Sequence, residues 1–96
     1  MIHEDRKELS AKTLDIKRAI DSLKEELEAT DWYNQRADAC TDENLKKILL
    51  HNAAEEKEHA AMLIEWLRQH DDKFAEEIKD YLFADKADIA QLEEDH

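Results

Sequence analysis

The stretch LKKILLHNAAEEKEHAAMLIEW, Leu45 to Trp66, decides how this chain reads. Steps of four and three residues along it meet Leu45, Leu49, Asn52, Glu56, His59, Leu63 and Trp66. That spacing is one face of an α-helix. The ends of the face are apolar, as a packed seam requires, but its middle is Asn52, Glu56 and His59. A carboxylate on a buried seam must be paired or neutralised. Glu56 and His59 therefore need a compensating partner, and a metal cation or an interhelical ion-pair network would each supply one.

Working outward, the spacing predicts one helix over about residues 42–69, with Thr41 as N-cap and Asp42 and Glu43 in the first turn. A second long helix is predicted over about residues 4–37, with its apolar stripe on Leu9, Thr13, Ile16, Ile20, Leu23, Leu27 and Thr30. The connection around Ala39-Cys40-Thr41 is so short that the two helices must be antiparallel neighbours. A shorter third helix is predicted over about residues 72–83, carrying Phe74, Ile78, Tyr81 and Leu82. Residues 84–96 read as a loosely ordered polar tail. The fold class is all-α. The 96 residues contain no Gly and no Pro, which removes the residues that punctuate strands and tight turns.

A hairpin of two helices buries one stripe on each and leaves apolar surface over. With a single cysteine, Cys40, no internal disulfide can compensate. The expected unit is a dimer of hairpins forming a four-helix bundle. The net charge of −12 repels nucleic acid and anionic membrane and attracts cations. Met1 to Lys7 lack the apolar stretch of a signal peptide, and no apolar run approaches the ~20 residues of a membrane span. A soluble, cytoplasmic protein is the expectation.

Glu56-x-x-His59 sets two ligand types one turn apart on one helix face. In ferritin-like di-iron proteins two helices each carry such a pair and two others each carry a Glu. The motif alone is weak: Glu93-x-x-His96 repeats it in the tail, off any seam, and is assigned nothing. Counting back from the turn by the length that separates it from Glu56 lands on Glu25 or Glu26, and Glu26 lies beside the seam. Each lies roughly 20 Å from the turn at about 1.5 Å per residue. One Glu and one Glu-x-x-His make half a site, which a two-fold axis would complete. Carboxylates with few imidazoles and no thiolate suit iron or manganese rather than structural zinc.

The stretches from Glu25 to Tyr33 (EELEATDWY), from His51 to Met62, from Glu65 to Arg68 and from Tyr81 to Phe83 resemble the encapsulated ferritins over about residues 20–83. The resemblance implies a dimer that forms a di-iron ferroxidase centre, with two irons per dimer interface and Glu26, Glu56 and His59 as ligands. It also implies a ring of dimers, typically a decamer, that oxidises iron within an encapsulin shell. Members carry a C-terminal peptide addressed to that shell, and no glycine-containing apolar peptide of that kind stands in residues 84–96. The resemblance also suggests Glu25 and Glu28 as a site where metal enters, and a solvated face is the other reading of the pair.

Other residues carry weaker readings. Tyr33, seven residues after Glu26, could hydrogen-bond a ligand, donate an electron or simply pack. Trp32 shares the face of Glu25 and Glu28. His51, Glu55 and Glu58, at offsets of four and three, could hold a peripheral cation or form a solvated face. Two other functions fit the chain less fully: a non-catalytic helical dimerisation module, and a di-manganese protein that handles peroxide.

Overall fold

Ser10 starts the first long helix. Its backbone is extended, and its hydroxyl accepts the N–H of Thr13 at 3.1 Å. Helix α1 therefore runs Ala11–Ala39. The predicted start near Glu4 is corrected: Arg6–Glu8 form a separate 3₁₀ turn capped by Asp5, and Leu9 is extended between the two. A side-chain cap at Ser10 satisfies a first-turn donor that would otherwise lack a partner. These features come from a computed structural model describing residues 1–96.

Helix α2 runs Glu43–His70. Its cap is Asp42 rather than Thr41, with the Asp42 carboxylate accepting the Leu45 N–H at 2.8 Å. An anionic acceptor at the positive end of a helix outperforms a hydroxyl one residue too early. Asp71 ends α2 and caps helix α3, Asp72–Tyr81, by accepting the Phe74 N–H at 2.9 Å. Helix α3 stops two residues short of the predicted end. Leu82 is extended, and Phe83 takes a φ of 58°, the left-handed region. In a chain without glycine a bulky residue makes this reversal, at about 1–2 kcal/mol.

The tail is more structured than its composition implies. Leu92 opens a single turn, α4, Leu92–Asp95, and is buried. Lys86 pairs with Asp95 at 2.7 Å, and His96 approaches Asp80 of α3 at 3.7 Å. Lys86–Asp95 closes the tail on itself, while the buried Leu92 and the approach of His96 to Asp80 bring it back toward α3.

Helices α1 and α2 pack as an antiparallel hairpin, on lines that differ from the predicted stripes. The buried residues of α1 are Ala19 and Ala37, and those of α2 are Ala53, Ala60 and Leu67. Ala53, Ala60 and Leu67 are spaced by seven, one position along from Asn52, His59 and Trp66. On α1, Glu26 follows Ala19 by seven, so it belongs to the contact line itself. Ile20 and Leu27 are 44% and 55% exposed. Small alanines let the backbones approach closely, and the larger apolar residues are left on the flanks. The molecule is a slab 49 × 41 × 20 Å, its shortest extent about two helix diameters.

Candidate metal centre

Glu26 comes from the middle of α1, and Glu56 and His59 from the middle of α2. The hairpin sets them at one height because both helices leave the same short turn. His59 Nδ1 lies 3.4 Å from Glu26 Oε2 and 3.6 Å from Glu56 Oε2. One ligand atom from each of the three falls within 4.8 Å of the others, the only such trio in the chain.

The burial is uneven in a telling way. The side chains of Glu26 and Glu56 are 23% and 24% exposed, and that of His59 is 42% exposed. Glu26 Oε2 is nevertheless buried and has no hydrogen-bond partner, since the approach of His59 lacks hydrogen-bond alignment. Thr30 does not help: its hydroxyl donates to the Glu26 backbone carbonyl at 2.8 Å. A buried anionic acceptor with nothing to accept from is unstable unless a cation or a donor completes it. Two carboxylates and one imidazole, converging with one side open, fit a hard or borderline divalent cation. The same three groups also satisfy the geometry of a partial ion pair, the other reading of the seam.

The remaining sequence candidates do not converge in the single chain. His51 and Glu55 approach to 3.6 Å on an exposed face, but Glu58 does not join them in a three-ligand cluster. Glu25 and Glu28 stand exposed on the outer flank of α1. Tyr33 is half-buried on the Glu26 side of α1 and its hydroxyl makes no hydrogen bond, and Trp32 beside it is 49% exposed. His96 of the decoy motif faces Asp80 and the ring of Tyr81, 6.3 Å away, rather than Glu93.

One neighbour escaped the sequence reading. The Arg36 guanidinium lies over both rings, 5.8 Å from the centroid of Trp32 and 5.7 Å from that of Tyr33. Offsets of four and three from Trp32 and Tyr33 to Arg36 were the signal that could have found it. No helix here is long and apolar enough to cross a membrane.

The sequence model of the family described as EncFtn-like matches residues 1–85. The chain is 55% identical over 83 residues to an encapsulated ferritin-like protein of Rhodospirillum rubrum, a match covering 86% of this chain and 59% of that protein. It therefore spans under two thirds of that relative's length. It is 50% identical over 93 residues to a ferritin-like protein of Thermotoga maritima, covering 97% of this chain and 81% of that one. A crystal structure of a Nitrosomonas europaea protein shares the fold with a TM-score of 0.87 at 59% identity, over 91% of this chain and 96% of that chain.

Proposed function

This chain belongs to the encapsulated ferritin-like family, and from that premise we propose that it is a ferroxidase, oxidising Fe²⁺ to Fe³⁺ at a di-iron centre shared by two copies. The observation that carries the reading is the buried, unpartnered Glu26 Oε2 beside Glu56 and His59. One chain offers one Glu and one Glu-x-x-His, and a di-iron carboxylate site takes two of each. A second hairpin related by a two-fold axis supplies the missing half.

Burial favours the same partner. Leu67 and Leu92 are the only large apolar residues among the six that one chain buries, and neither is fully enclosed. Ile48 and Met62 lie eleven residues before and three after His59, on its side of α2, and are 56% and 58% exposed. Covering the half of each that is still exposed would contribute about 1–1.5 kcal/mol.

Iron is the substrate: each Fe²⁺ gives one electron to oxygen or peroxide and leaves as Fe³⁺. The chain's part is to bind and orient. Glu26 and Glu56 supply anionic oxygens that favour the more highly charged product. His59 Nδ1, which faces both carboxylates, must shed any proton to offer its lone pair. The net charge of −12 draws cations toward the protein. The word encapsulated in the name of the Rhodospirillum rubrum relative supports an encapsulin nanocompartment as the setting. There a ring of dimers, a decamer, would pass Fe³⁺ to storage within the shell.

Native mass spectrometry with and without Fe²⁺, beside a stopped-flow oxidation assay, tests this. The expected result is two irons per dimer and rapid oxidation. A dimer that takes up no iron would point instead to a helical interaction module. A dimer active only with manganese and peroxide would change the reaction.

A further inference from the structure

We propose that Arg36 is a positioning residue that holds the Trp32–Tyr33 aromatic pair against losing electrons to oxidants formed during iron oxidation. The inference rests on the ferroxidase reading and deepens it, because it gives a use for a cation ten residues along the helix that carries Glu26. It starts from geometry. The guanidinium carbon of Arg36 lies within the cation–π range of both rings. Arg36 makes no ion pair, although the chain carries 26 carboxylate residues. Its guanidinium stands instead against two oxidisable rings, and together with Gln35 and Trp32 it lines an open cleft.

The second part is place. Tyr33 follows Glu26 by one heptad, and a helical side chain leans toward the N-terminus of its helix, so Tyr33 leans toward the Glu26 level. Oxygen or peroxide reduced one electron at a time can draw the next electron from a nearby ring instead of from Fe²⁺. At Trp32 the indole would lose one electron to the oxidant and then its Nε1 proton to water. At Tyr33 the electron would leave first and the phenolic proton would follow it to water. Each ring gains positive charge on losing its electron, and a fixed guanidinium about 6 Å away opposes that gain. Arg36 thus biases the oxidant toward Fe²⁺ as the electron source.

Trp66 is the internal control. It stacks on His70 at 4.0 Å and has no arginine or lysine over its ring. The test uses the whole chain and photoexcited lumiflavin, an uncharged one-electron oxidant, with oxidised residues located by peptide mass spectrometry. Arg36→Gln should raise oxidation at Trp32 relative to Trp66 about threefold, the factor for losing one charge ~6 Å away under water-like screening. Arg36→Lys, which keeps the charge, should stay near wild type. An unchanged ratio in Arg36→Gln, or an equal rise in Arg36→Lys, overturns the inference. A second arm repeats the measurement during Fe²⁺ oxidation. The lumiflavin arm needs no iron, so a chain that fails to oxidise Fe²⁺ would sink the ferroxidase reading and leave the lumiflavin result to decide on Arg36.

Discussion

His59 Nδ1 stands 3.4 Å from Glu26 Oε2 across the helix pair, and that oxygen, buried between the helices, still lacks a hydrogen bond. The relationship is costly for a metal-free chain and useful for one that binds a cation. This difference can be measured.

Glu26→Gln should remove the function and help the fold. We expect Fe²⁺ oxidation to fall at least about tenfold, because a neutral amide is a poor ligand for iron. We expect the metal-free protein to gain about 0.5–1 kcal/mol, because the buried anion is gone. Stopped-flow kinetics and denaturant melts of metal-free protein check the two halves. A variant that is less stable without metal would contradict the account of Glu26 as an unsatisfied acceptor.

Ile48→Asp and Met62→Asp leave Glu26, Glu56 and His59 in place while putting a charge on the open side of the site. If a second hairpin covers that side, both variants should remain monomeric in sedimentation experiments and lose rapid iron oxidation. Dimers of normal activity from both would show that the partner sits elsewhere.

The two cap candidates before α2 make a clean comparison. Asp42→Ala removes the carboxylate that accepts the Leu45 N–H and should cost about 1 kcal/mol. For a domain of this size that lowers Tm by about 4–8 °C. Thr41→Ala should leave Tm within a degree or so, as an exposed change away from any cap. Calorimetry at fixed protein concentration separates them, and equal losses would restore Thr41 as the cap.

Two hydrogen bonds from Arg68, at 2.6 and 2.7 Å, and a third from Gln69 hold the Glu65 carboxyl at about 2, below its ordinary 4.5. A folded-state value lowered in this way contributes stability above about 4.5 that is lost as pH falls toward about 2. The pair is exposed, so salt should weaken it. Carboxyl NMR should find the Glu65 midpoint near about 2 in wild type and shifted back toward 4.5 in Arg68→Met.

Much of this was legible in the residues. The absence of Gly and Pro, the 3–4 spacing and the short connection at Cys40 determine two antiparallel helices, because backbone hydrogen bonding and apolar periodicity are local properties. The heptad count brought Glu26 to the height of Glu56 and His59, because rise per residue is the same in both helices. The rest depended on which side chains meet. Apolar residues at helical spacing mark a stripe but not its partner, so Ile20 and Leu27 looked like core. Packing chose Ala19, Ala53 and Ala60 instead, because small residues bring the backbones closest. That choice put Glu26 on the contact line and left its oxygen buried and unpartnered. It left Ile48 and Met62 exposed on the His59 side of α2. The fold-back of Leu92 was likewise decided by the tertiary structure, whereas the cap at Ser10 and the place of Arg36 over two rings are local contacts at offsets of three and four that the sequence held but the reading passed over.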